Sequence, residues 1–301
     1  MFRSIPRLCL SLALILLSGY LNESANAAVV YSPSWFDGFD ITSATSTSDI
    51  NLDIATRQGG SPTNTSYVTA GVGADTWKHQ IFNPGPLQLA GNAAVHTLVS
   101  PDFSFDGAAG GGVNGMKVEV VMDAYANNSG GSYFTQSAIT VGANSTVTPA
   151  GSAGGGFSVV FVEDTFGGAG NFIQTWDGDN LLGNLIANPA GGGPGFVQIL
   201  IDDPTDNNPW DGIGQTDVEV LVDSNSIGSW TVGGVGGYTS NFITLEGSDQ
   251  KVGAGLATHT FENLTVFSGV SAIPEPSSFA FLAIVGAYGL RRRRSRSARV
   301  G

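Results

Sequence analysis

Lys117-Val118-Glu119-Val120-Val121-Met122-Asp123 decides the fold: Val118, Val120 and Met122 recur at every second position, while Lys117, Glu119 and Asp123 take the other face. Side chains alternate across a strand with period two, so the stretch predicts a strand with one dry face and one wet face. Asp217-Val218-Glu219-Val220-Leu221-Val222-Asp223 repeats the pattern, three valines against acids. Outward from these two, strands are expected near 67–70, 77–82, 95–99, 137–141, 157–162, 172–176, 196–201, 229–232, 242–245 and 259–267, and no stretch of the body has a helical period. The 43 glycines cluster between the apolar runs without a fixed repeat, which is turn punctuation. About a dozen short strands divided by Gly, Asn, Asp and Pro predict an all-β chain, two antiparallel sheets packed as a jelly roll or similar sandwich over 63–270. Residues 28–62, richer in Thr, Ser and Asp, read as a lead-in strand and loops; a separate small domain is the alternative, with few apolar residues to bury.

The first 27 residues have the three parts of a secretory signal: Arg3 and Arg7, the apolar run Leu8 to Leu17, and the small-residue site Ala25-Asn26-Ala27. Cleavage there leaves Ala28 as the new N-terminus, and the apolar run is too short to span a bilayer alone. The alternative is an uncleaved anchor. The single cysteine, Cys9, lies within the apolar run and leaves with the signal, so disulfides and thiolate metal sites are not expected.

Residues 28–290 hold 24 acids against four bases, Arg57, Lys78, Lys117 and Lys251, a formal net charge of −20. Such a surface repels nucleic acid and anionic headgroups, both of which are bound by Lys and Arg. It suits a secreted soluble protein, or one that uses divalent cations.

At the other end stand Ile273-Pro274-Glu275-Pro276, a 14-residue apolar run from Ser277 to Leu290, and Arg291-Arg292-Arg293-Arg294. The run is shorter than the roughly 20 residues of a comfortable span, and the arginines would be retained on the cytoplasmic side. The prolines keep the backbone extended, as a protease or transpeptidase needs. This order over 273–296 resembles the PEP-CTERM sorting domain of bacteria that make exopolysaccharide. The resemblance implies transient insertion in the inner membrane through a short apolar helix, processing by an exosortase after signal peptidase, and delivery to the cell surface or its polysaccharide matrix. It implies nothing about the body.

In the body, Phe157 to Val162, Ile173-Gln174-Thr175-Trp176-Asp177-Gly178, the Val218 to Asp223 strand and His259-Thr260-Phe261-Glu262-Asn263-Leu264-Thr265-Val266 follow one another in an order that resembles a laminin-G or concanavalin-like domain. Sandwiches of that class host binding proteins and enzymes alike.

No catalytic residue is assigned. His79, His96 and His259 lack metal-ligand spacing, and no G-x-S-x-G elbow surrounds a serine. A glycosidase needs two carboxylates on one sugar bond, which makes Glu119 with Asp123 and Asp217 with Glu219 the pairs to weigh, though a solvated strand face puts its acids at the same spacing. Two loops join oxygen ligands to an aromatic ring. Trp176-Asp177-Gly178-Asp179-Asn180 offers Trp176, Asp177 and Asp179 for ligand contact. Asp202-Asp203-Pro204-Thr205-Asp206-Asn207-Asn208-Pro209-Trp210-Asp211-Gly212 offers Asp202, Asp203, Asp206 and Asp211 for calcium and Trp210 for a sugar face. Turn chemistry uses the same residue types. The expected protein is thus exported, with a non-catalytic sandwich that binds polysaccharide or packs in a surface matrix. The alternative is an extracellular polysaccharide-active enzyme on the same fold.

Overall fold

The computed structural model describes residues 29–39, 67–72, 77–81, 86–91, 95–102, 115–126, 133–146, 148–164, 170–202, 216–233, 238, 240–251 and 257–271. Every regular element among them is a strand. The expected signal segment 1–27, the sorting tail 273–296 and the acidic loop 203–211 lie outside the described residues. Tyr31–Val270 form one compact unit; of the second, Met1–Val30 with Ser271–Gly301, only Val29, Val30 and Ser271 are described, as strand ends.

Two antiparallel sheets make up the body. The first runs β14 (Asn225–Val232), β13 (Thr216–Val222), β12 (Gly195–Asp202), β6 (Met116–Ala126), β16 (Ala257–Ser271), β4 (Leu87–Gly91), β3 (Trp77–Ile81), with β1 (Val29–Asp37) also paired to β16. The second runs β10 (Asn180–Leu181), β9 (Gly170–Asp177), β8 (Phe157–Asp164), β7 (Tyr133–Ala143), β15 (Phe242–Lys251), β5 (Val95–Pro101), β2 (Tyr67–Val72), with β11 (Ile186–Ala187) on β9.

The two deciding stretches sit in the first sheet, with β12 between them. Their alternation puts three rows of apolar side chains in register: Val222–Val197–Val120, Val220–Ile199–Val118 and Val218–Ile201–Met116. All nine are buried, against Ile139, Val141, Val159, Phe161, Ile173 and Leu245 of the facing sheet. Burying one such side chain stabilises the fold by roughly 1.5–3 kcal/mol, so these rows dominate its cohesion. The other face of the sheet is half-buried and mixes polar with apolar side chains. Glu119 accepts from Gln198 Nε2 at 2.7 Å and pairs with Lys117 Nζ at 2.7 Å, and the same ammonium lies 4.1 Å from the Phe267 ring centre.

Two local devices keep these faces in phase. Asp223 and Ser224, with φ of 50° and 65°, form the two-residue turn between β13 and β14, a left-handed pair whose twist matches that of the strands it joins. In β16, strict alternation from Phe261 would turn Asn263 inward. Asn263 instead takes a φ of 55° at a bulge between Glu262 and Thr265, so Phe261, Leu264 and Val266 all reach the core.

Trp35 and Phe39, from the segment expected as lead-in strand and loops, belong to the same core cluster. Their rings stand 6.4 and 6.3 Å from that of Tyr67, whose hydroxyl donates to Asp37.

Candidate functional site

A cleft of about 320 Å³ opens where three connections meet: the loop after β7, the turn after β9 and the segment after β14. Asn144, Asp177, Asp179, Asn180 and Tyr238 supply its polar groups, and five glycines line the rest. The turn is built first. Asp177 pairs with Asn180 across a two-residue hairpin, and Gly178, φ 58°, takes the left-handed conformation at the first central position that a side chain would resist. Turn chemistry is therefore what Asp177 to Asn180 perform locally.

Asp177 holds the site's far wall. Its Oδ1 accepts from the Tyr238 hydroxyl at 2.7 Å and its Oδ2 from the Gly233 amide at 3.1 Å, so one carboxylate ties the segment after β14 to the turn after β9. Burial, then the hydrogen bond to Asp177 and its charge, push the Tyr238 phenol far above its ordinary pKa, so it remains a donor. Asp179 and Asn180 are exposed, and the Asn180 amide is 3.5 Å from the Asp179 carboxylate.

The near wall is the loop 144–156. It closes on itself through Asn144 N–H to Gly154 C=O at 3.0 Å, and is fixed to the turn by Gly178 N–H to Gly156 C=O at 2.8 Å. Its middle crosses the second sheet on the side away from the core. There the Ala150 amide donates to Glu246 Oε2 at 2.6 Å, and Gly151 lies against the Trp176 indole, where an added Cβ would stand 3.3 Å from Cδ2. Under it are Ala138, Val160, Val162 and Phe172, a small second cluster.

Trp176 and Asp177, read together in the sequence, are thus placed apart. Adjacent strand residues face opposite ways: Trp176 lies beneath the loop, with Nε1 3.4 Å from Gln174 Oε1, while Asp177 faces the cleft with Asp179. Asp202 ends β12, half-buried and opposite Asp217 of β13; Asp203, Asp206, Trp210 and Asp211 lie outside the described residues. Among the described residues no three His, Cys, Asp or Glu side chains gather closely enough to hold a metal ion.

The acid pairs weighed for hydrolysis also have places. Glu119 is held by Gln198 and Lys117, Asp217 accepts from Thr231 Oγ1 at 2.7 Å, and Glu219 accepts from Ser226 Oγ at 2.9 Å. Glu119, Asp123, Asp217 and Glu219 are all on the first sheet's half-buried outer face.

Sequence reasoning missed Asn144, Tyr238 and Glu246. Glu246 had a signal, as the one acid in the otherwise uncharged run Phe242–Gly247, and it is 3 % exposed. Asn144 and Tyr238 had none, because the pairing of β7, β8 and β9 is what brings Asn144 beside residues 177–180, while Gly233 and Tyr238 reach the same cleft from beyond β14 of the other sheet.

No family model matches the chain, and no curated protein matches it. Among solved structures it is similar to a galectin-like protein of unknown function from Bacillus subtilis, at 10% identity over 80% of this chain and 99% of that one, with a TM-score of 0.45. It is similar to the carbohydrate-binding module CBM66 from Bacillus subtilis, at 11% identity over 68% and 96% of the two chains, TM-score 0.40. It is also similar to a Bacillus licheniformis β-glucanase, at 9% identity over 66% and 91%, TM-score 0.39. Any functional reading therefore rests on the chain's own residues.

Proposed function

We propose that this is an exported surface or matrix protein whose sandwich is a non-catalytic glycan-binding module, with the cleft between Asn144, Asp177, Asn180 and Tyr238 as its ligand site. The observation that carries the reading is the state of Asp177. Both of its oxygens already accept hydrogen bonds, from Tyr238 and Gly233, so it orders a wall instead of standing free as an acid or base. A general acid–base pair needs two carboxylates with free access to one bond. Here the other lining acid, Asp179, sits two residues away in the same hairpin. The amides of Asn144 and Asn180 can each donate and accept, as hydroxyl groups require.

Export rests on the signal with Ala25 and Ala27, and on the tail with Pro274, Glu275, Pro276 and Arg291 to Arg294. Signal peptidase and an exosortase would remove the two ends, and the surface polysaccharide would be the partner. A glycan array probed with the purified protein, in calcium and in EDTA, tests the binding reading, and a blank array defeats it. Intact-mass analysis of protein from an exosortase-positive envelope tests the export reading. A mass that retains Arg291 to Gly301 defeats that one.

A further inference from the structure

Resting on that reading of the cleft, we propose that the ligand is an uncharged glycan and that the cleft binds it without a divalent cation. The first part follows from the lining. It holds two carboxylates, Asp177 and Asp179, and no Lys, Arg or His. Across residues 28–290 the sequence carries 24 acids against four bases, and Lys117, the base whose surroundings are described, is committed to Glu119 and the Phe267 ring on the outer face of the first sheet. A uronate, sulfate or phosphate entering the cleft meets like charge, with no Lys, Arg or His among the described lining residues to offset it.

The second part follows from Asp177. Asp177 accepts one hydrogen bond on each oxygen, from Tyr238 and Gly233, and so has one lone pair left on each for a hard cation that wants several oxygen ligands. Asp179, exposed, is the other lining carboxylate, and together they are too few ligands for a calcium site that ordinarily gathers six to eight oxygens.

What remains suits a neutral sugar. The primary amides of Asn144 and Asn180 carry only long bonds, Ser240 Oγ to Asn144 Oδ1 at 3.5 Å and Asn180 Nδ2 to Asp177 C=O and Asp179 Oδ1 at 3.4 and 3.5 Å, which sugar hydroxyls can replace, and the glycines let a ring approach the backbone closely. About 320 Å³ is at the small end of ligand pockets, which run from roughly 300 to 1,000 Å³, so a short stretch of chain is gripped.

The test is affinity electrophoresis of the purified protein through laminarin and galactomannan, which are neutral, and through alginate and polygalacturonate, which are anionic, each in EDTA and in added calcium. The expected result is retardation by a neutral polysaccharide, equal in EDTA and calcium and weakened about tenfold by Asn144→Ala with Asn180→Ala, as loss of two hydrogen bonds implies. Alginate and polygalacturonate should not retard it. Tighter binding to an anionic chain, neutral binding that needs calcium, or indifference to the double substitution overturns the inference and leaves a glycan-binding protein. Retardation by none of the four overturns the inference together with the reading beneath it. The neutral-against-anionic comparison needs no substitution, so a double variant that fails to fold does not remove the test.

Discussion

The Ser137 hydroxyl lies 2.9 Å from Nδ1 of His259, and both residues are fully buried between the sheets. Ser137 gives its one proton to the Asp123 carbonyl, so it can only accept from the ring, which fixes His259 as the Nδ1–H tautomer. Nε2, buried with the rest of the ring, has no hydrogen-bond partner among the described residues. Gly247 lies against the same ring, where an added Cβ would come within 2.5 Å of Cδ2.

This arrangement makes stability depend on pH. Burial lowers the His259 pKa from 6.5 to about 3, because the charged imidazolium would lose its hydration. The unfolded chain takes up that proton near pH 6.5 and the folded chain does not, so stability is lost as pH falls below 6.5, by about 1.4 kcal/mol at pH 5.5. Melting curves at pH 7.5 and 5.5 should differ by a few degrees for this cause, and the difference should shrink in His259→Gln. An unchanged pH slope in that variant removes the argument.

Asp177 should matter to the fold as much as to the cleft. Removing it leaves the Tyr238 hydroxyl and the Gly233 amide without their acceptor, at a cost of about 1–3 kcal/mol. Asp177→Ala should lower the melting midpoint clearly. Asp177→Asn keeps one accepting oxygen but faces an N–H donor with the other group, and should fall between. Midpoints equal to the parent for both variants would show that the wall is held by something else.

Glu246 anchors the loop over the sheet, so its substitution should be felt at Ala150. The 2.6 Å bond from the Ala150 amide joins a charged acceptor to a backbone donor, the stronger kind of hydrogen bond. In Glu246→Ala, hydrogen exchange of the Ala150 amide should speed up by at least tenfold, while amides in β12 and β13 stay protected. Equal exchange at Ala150 in variant and parent would mean that the loop's internal bonds suffice to hold it.

The strands were legible where alternation ran for five residues or more, as in Val118 to Met122 and Val218 to Val222, because period-two burial is written directly in residue type. β4 was not read. Leu87 and Leu89 are the fully buried apolar side chains among its described ones, framed by Pro86 and Gly91, too short a run to separate from a loop. β10 and β11 are two residues each and follow from the Gly178 turn more than from their own sequence. Of the cleft, Asp177, Asp179 and Asn180 were legible as one turn. The partners of that turn are Gly233 and Tyr238, with Asn144 beside them in the cleft, and no local pattern announces contacts between segments so far apart in the chain.

Among the described glycines, Gly156 is the one where an added Cβ would meet backbone most closely, and its substitution gives a sharp expectation. A Cβ there would stand 2.4 Å from Gly142 C and from Val141 O, and 2.6 Å from Gly142 O. None of these atoms belongs to a flexible side chain, so β7 itself would have to move. The φ of 65° adds left-handed strain, worth roughly 1–2 kcal/mol for any residue with a Cβ. Gly183 separates the two effects: it has a similar φ of 69° and no atom within 4 Å of an added Cβ. Gly183→Ala should therefore cost the strain alone. Gly156→Ala should cost that and the collision, about 1–3 kcal/mol more. It should also weaken the Gly178 to Gly156 bond that closes the cleft. Urea unfolding of the two variants decides it, read as the gap between their midpoints at equal slope. If the midpoints coincide, β7 and the loop after it separate at little cost, and the near wall of the cleft is softer than its close contacts imply.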